Sequence, residues 1–218
     1  MKTLTSIEFA RLWMTGRIRE GDVLLFDRRG CGGLDVASAV IRTVQRRLLD
    51  DLDEWESPLA ESTFSHAGLA GSEQSRVILE MTSPAARARS AELVPIGMRV
   101  MVRRPRQDGE DISAATGRRI SDAAWRDIAA GRRYPFGELL TYWIWSWGWD
   151  KLFLRRRFAE VFRSDRSDVC SGSVWRWCVE AGLFRDAWPS DLRPEAWYPA
   201  RLAADQERFR TVGVFQIT

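Results

Sequence analysis

Phe64-Ser65-His66-Ala67-Gly68-Leu69-Ala70, followed a hairpin's length later by Val77-Ile78-Leu79-Glu80-Met81, decides how this chain is read. Both stretches are short and apolar, and turn-forming residues separate them, the pattern of two adjacent antiparallel strands. The link Gly71-Ser72-Glu73-Gln74-Ser75 is of hairpin length. Side chains alternate across a strand, so Phe64, His66, Gly68 and Ala70 are expected on one face, and Arg76, Ile78 and Glu80 on one face of the next. Pairing Ala70 with Arg76 puts His66 directly opposite Glu80, with Cβ atoms roughly 4.5–5.5 Å apart. At that distance the carboxylate can accept one imidazole N–H and fix the tautomer. His66 is the only histidine in the chain.

Farther along, Asp168-Val169-Cys170-Ser171-Gly172-Ser173-Val174-Trp175 places a cysteine where a helix is expected to begin. Cys170, Val174, Trp177, Cys178 and Ala181 follow the spacing of one buried helical face, over a helix expected at 171–181 with Gly182 as its C-cap. Unpaired backbone N–H groups and the dipole at a helix start favour a thiolate and can hold the oxyanion of an attacked carbonyl. Ser171, Gly172 and Ser173 are small and leave room for a substrate. A thiol, an imidazole and a carboxylate are the parts of a cysteine-nucleophile enzyme, because the thiolate needs a base and the base an orienting group.

The remaining sequence frames these elements. Thr5-Ser6-Ile7-Glu8 is a capping-box pattern for a helix ending near Gly16. Gly21-Asp22-Val23-Leu24-Leu25-Phe26 reads as a buried strand. Residues 27–62 hold the turn Gly30-Cys31-Gly32-Gly33, an amphipathic helix through Val36, Val40, Ile41, Val44 and Leu48, and an acidic loop. Leu93-Val94 and Val100-Met101-Val102 suggest strands, Arg103 to Gly109 a surface loop, 121–131 and 136–162 helices, and Thr211 to Ile217 a closing strand. No repeat or low-complexity stretch interrupts them. The expectation is a single α+β domain over 1–218, an antiparallel sheet or small barrel packed against helices.

Composition narrows the function classes. The 218 residues are 45% hydrophobic, enough for one core. The formal charge of +3 tolerates an anionic partner without demanding one, and no nucleic-acid role is expected. Three cysteines imply no disulfide framework. No secretory signal and no long uncharged apolar run are visible, so cytoplasmic residence is the default, with signal-independent secretion left open. One histidine and no close cysteine cluster argue against a zinc site, and the chemistry needs neither metal nor organic cofactor.

Gly21-Asp22-Val23-Leu24-Leu25-Phe26, Phe64-Ser65-His66-Ala67-Gly68-Leu69, Val77-Ile78-Leu79-Glu80, Ala129-Ala130-Gly131-Arg132-Arg133-Tyr134-Pro135-Phe136 and Val169-Cys170-Ser171-Gly172-Ser173-Val174 together resemble a known family. It is the circularly permuted branch of the NlpC-type papain-like superfamily, the YiiX/YaeF-like amidases. In that branch the histidine and its polar partner precede the cysteine, the order His66, Glu80, Cys170. The resemblance implies Cys170 as nucleophile, His66 as base and then acid, and Glu80 as the orienting residue. Ser171 and Gly172 would line the substrate site. Tyr134 would either contribute to the oxyanion site or line the pocket, or else pack as a structural residue. Many relatives carry an acidic residue where this chain has Gly172, a departure that bears on substrate class.

The implied activity is a thiol hydrolase cleaving an amide bond in a peptide or a peptidoglycan stem peptide. Such an amidase without a signal peptide would suit a delivered antibacterial effector, which would imply a cognate inhibitor protein as partner. The alternatives are a lipid-directed acyltransferase or thioesterase on the same scaffold and a catalytically inactive binding module. The Trp-rich run from Trp143 to Trp149, within the helical segment at about 136–162, suits either burial or contact with a membrane surface. On a helix its tryptophans would point in several directions, which favours burial against the core or a partner chain, while the mixed charges along the chain favour a peptide over a lipid substrate.

Overall fold

Val23-Leu24-Leu25-Phe26 is apolar at every position because helices cover both faces of its strand. Val23 and Leu25 enter one buried cluster and Leu24 and Phe26 another, the division that period-two alternation imposes. Leu79 and Ile78 divide in the same way, as do Met101 and Val100. The protein, a computed structural model, is described over residues 1–28, 64–82, 85–133, 170–184 and 199–218. The expected turn at Gly30–Gly33, the helices through 36–48 and at 136–162, and the acidic loop all lie outside these residues.

The described elements are β1 (Lys2–Leu4), α1 (Ser6–Met14), β2 (Val23–Asp27), β3 (His66–Ala70), β4 (Val77–Met81), β5 (Ala86–Ser90), a 3-10 turn (Ala91–Leu93), β6 (Arg99–Gln107), β7 (Glu110–Asp111), α2 (Ala114–Ala129), α3 (Cys170–Glu180), α4 (Pro199–Ala204) and β8 (Phe209–Ile217). Together they make an α+β architecture around an open sheet of order β1-β8-β6-β2-β3-β4-β5, with β7 paired to β6. All pairings are antiparallel except β1 with β8. One cluster unites the sheet with α2 and α3, and the other unites it with α1, whose Phe9, Ala10, Leu12 and Trp13 are buried. Among the described residues no helix is long and apolar enough to cross a membrane.

Local chemistry sets the helix limits. Thr5 and Glu8 form the expected reciprocal capping box, at 3.2 and 2.8 Å. At the end of α3, Gly182 takes φ +92°, and Gly182 and Leu183 donate to the carbonyls of Val179 and Cys178, a Schellman closure. Asp127 of α2 accepts the Trp177 indole N–H at 2.6 Å and also binds Arg176, joining α2 to α3.

Several expectations are corrected. Arg103 to Gln107 continue strand β6 instead of forming a surface loop, because the buried guanidinium groups of Arg103 and Arg104 find hydrogen-bond partners across the fold. Arg103 donates to Thr211 Oγ1 at 2.6 Å, and Arg104 grips Asp22 with two bonds of 2.8 Å. Leu93 closes a 3-10 turn instead of entering a strand, while Ala86–Ser90 forms a strand that was not expected. Helix α2 starts seven residues early, at Ala114, capped by the Ser113 side chain. Of the two expected forms, sheet or small barrel, the described residues form the open sheet.

The β3–β4 register also differs. Ala70 pairs with Ile78, Leu69 with Leu79 and Gly68 with Glu80, two residues from the expected pairing. Arg76 is consumed by the turn. Its N–H bonds the Ser72 carbonyl at 3.0 Å, Ser72 and Ser75 share a hydroxyl bond of 2.8 Å, and Arg76 sits at φ +47°. A residue in the left-handed region cannot extend a strand. An even slip keeps every side chain on its face.

Candidate active site

His66 is the first residue of β3 and Glu80 the next to last of β4, so both stand at the rim of the sheet. His66 Nε2 lies 2.9 Å from Glu80 Oε2. The contact is diagonal, since the residue directly opposite Glu80 is Gly68. A Cβ at position 68 would stand 3.3 Å from Glu80 Cβ and 3.0 Å from the Leu79 carbonyl oxygen. The bare glycine leaves the space across which the carboxylate leans toward the imidazole.

Glu80 is only 2% exposed, and an isolated carboxylate there would be costly. Its Oε1 accepts from Arg87 Nε at 3.0 Å and Arg89 Nε at 3.0 Å, with Arg87 Nη2 at 2.9 Å. Burial pushes the Glu80 carboxyl up, but the bond and charge of His66 and the charges of Arg89 and Arg87 outweigh it and hold the group well below the usual range. These two arginines were missed from sequence. The available signal was the alternation Ala86-Arg87-Ala88-Arg89-Ser90, a strand pattern with both arginines on one face.

Cys170 opens α3, is 2% exposed and stands close enough to the His66 side chain to act on its charge. With Nε2 engaged by Glu80, Nδ1 is the ring nitrogen left for the sulfur. Burial works against a charged imidazole, yet Cys170, by charge and by hydrogen bond, and then Glu80 raise His66 to about 9. Phe26, the cross-strand partner of His66, holds its ring 5.7 Å away, and the Arg89 guanidinium lies 5.2 Å from the same Phe26 ring. The structure therefore unites His66, Glu80 and Cys170, residues spread over more than a hundred positions of sequence.

The expected buried stripe of α3 is present, with Cys170, Val174, Trp177, Cys178 and Ala181 in one cluster. Its two thiols differ. Among the described residues no charge acts on Cys178, and burial pushes it up to about 12. Ser171 and Gly172 are buried in the first turn of α3 together with Ser173, whose hydroxyl has no hydrogen-bond partner among the described residues. Tyr134, Cys31, Asp168 and the Trp143–Trp149 run lie outside the described residues. Among the described residues no group of three or more histidine, cysteine or acidic side chains could hold a metal ion.

Chemically, this is a sulfur beside a cationic imidazole whose far nitrogen is anchored by a charge-stabilised carboxylate. The sulfur stands in the first turn of a helix, at the positive end of its dipole. Such an arrangement can attack a carbonyl and return a proton to the leaving group. No family model, curated protein or solved structure matches this chain.

Proposed function

We propose that this protein is a cysteine-nucleophile hydrolase of amide bonds, with the circularly permuted papain-like arrangement and a peptide or peptidoglycan stem peptide as substrate. The observation that carries the reading is the single histidine bound on one side to the Cys170 sulfur and on the other to buried Glu80. A merely structural histidine has no need of a thiol at a helix start on one nitrogen and a charge-stabilised carboxylate on the other.

In this reading the Cys170 thiolate adds to the amide carbonyl carbon, and the oxyanion is held by backbone N–H groups at the start of α3. The tetrahedral adduct collapses as the C–N bond breaks, and the His66 imidazolium gives its proton to the departing amine. The neutral imidazole then takes a proton from water, whose oxygen attacks the thioester. The C–S bond breaks, releasing the carboxylic acid and restoring thiolate and imidazolium. Glu80 keeps Nδ1 aimed at the sulfur throughout. No step requires a redox partner.

The test is incubation of wild type and Cys170→Ala with purified peptidoglycan, with a peptide library and with phospholipid or acyl-ester vesicles, products being read by mass spectrometry. Cleaved stem peptide or peptide amide from wild type, and none from Cys170→Ala, is the expected result. Fatty-acid release with peptides untouched would replace it with the lipid-directed alternative.

A further inference from the structure

Among the described residues the charged side chains that face Glu80 are His66 from β3 and Arg87 and Arg89 from β5. They divide its two oxygens: the arginines take Oε1 and leave Oε2 to the imidazole. The two arginines are not equivalent. Arg87 pairs directly across from Glu80 but is 56% exposed, so water competes for its bond and little is gained by ordering it. Arg89 reaches the carboxylate diagonally, is 16% exposed, and is fixed at three points. Its Nε donates to Glu80 Oε1 at 3.0 Å, its Nη1 reaches the Leu93 carbonyl at 3.5 Å, and its plane lies over Phe26, the ring that flanks His66.

We propose that Arg89 is the positioning residue of the site: by clamping Glu80 Oε1 and covering Phe26, it keeps Oε2 on His66 Nε2 and so directs Nδ1 toward Cys170. The inference rests on the reading of Cys170 and His66 as the reacting pair. It assigns Arg89 no contact with substrate.

A cation that merely stood near His66 would disfavour the imidazolium, and its removal would raise the imidazole's pKa. A clamp acts in the opposite sense, since an unanchored Glu80 stabilises the imidazolium less. The sign separates the two roles. His66 is the only histidine, so its ring resonances can be titrated by NMR in the intact protein without assignment ambiguity. Arg89→Lys keeps the charge but loses the planar fork that engages the carboxylate and the Leu93 carbonyl together. We expect Arg89→Lys and Arg89→Gln each to lower the His66 value by about 1 unit, with kcat falling and KM little changed. Arg87→Gln should leave the value near that of wild type.

An unchanged value in Arg89→Lys, or a rise in Arg89→Gln, would overturn the proposal. Should both variants fail to fold, the wild-type Arg89 Nε–H signal decides. It is expected to be protected from exchange and to shift as His66 titrates, and an exposed, invariant signal would sink the idea. Because these readouts do not depend on turnover, their failure is distinct from the failure of the hydrolase reading, which Cys170→Ala tests.

Discussion

Glu80 and Asp22 are both nearly inaccessible carboxylates, 2% and 1% exposed, and both are gripped by arginine. Their partners differ in kind. Asp22 is met by Arg104 through two bonds of 2.8 Å and by the Arg19 backbone N–H at 2.9 Å, all fixed donors that do not titrate near neutrality. Burial pushes its carboxyl up against that pull. Glu80 instead shares its oxygens between two arginines and an imidazole, and is held down. One carboxylate fastens the start of β2 to β6, while the other transmits its charge to a group that can gain or lose a proton.

The comparison breaks most sharply under substitution at the reacting pair. Cys170→Ala and His66→Ala are each expected to remove at least ~10³-fold of kcat/KM, and the double variant to lose little more, because nucleophile and base act as one unit. Additive losses would show that the two residues work separately. Asp22→Ala is expected to do the reverse. It leaves buried Arg104 with the Arg17 carbonyl and a longer contact to Asp111 and costs about 3 kcal/mol of stability, while the folded fraction keeps its turnover. Urea unfolding and initial rates on the same sample separate the two effects. A rate loss comparable to that of Cys170→Ala would abolish the distinction drawn here.

The smallest expected effect sharpens the comparison through pH. The folded-state value of His66 is raised from 6.5 to about 9. The stabilisation it contributes is therefore fully present below 6.5 and is lost as pH rises through about 9. Activity should fall on the same limb, as the imidazolium that protonates the leaving amine disappears. In Glu80→Gln that limb moves to lower pH because one source of the upward shift is gone, whereas in Asp22→Asn it stays in place. Rates measured from about pH 6 to 10 show which carboxylate His66 feels. A limb that moves equally in both variants contradicts the assignment.

Much of this arrangement was legible in the sequence, for identifiable reasons. The capping box at Thr5 and Glu8, the stop at Gly182 and the buried stripe of α3 depend on residues within a few positions of each other, so local rules sufficed. His66 and Glu80 were placed together because a hairpin is also local, although the register was displaced by two. The serine bonds that draw Arg76 into the turn depend on side-chain rotamers, which composition does not encode. Arg103 and Arg104 were misread for a different reason. Arginine next to proline is normally solvated, and only partners far away in sequence, such as Thr211 and Asp22, make burial tolerable.

The sequence by itself determined the buried strand at Val23–Phe26, the face that α3 turns inward, and the identities of a thiol, an imidazole and a carboxylate fit for one chemistry. Each follows from periodicity, capping or side-chain type, properties carried by neighbours along the chain. Tertiary structure alone decided that Cys170 meets His66, that Glu80 reaches it diagonally across Gly68, and that Arg87 and Arg89 hold that carboxylate charged. Those facts depend on packing a helix against a sheet and on a register set by one turn. The energies involved arise between groups that only the folded chain brings within a few ångströms.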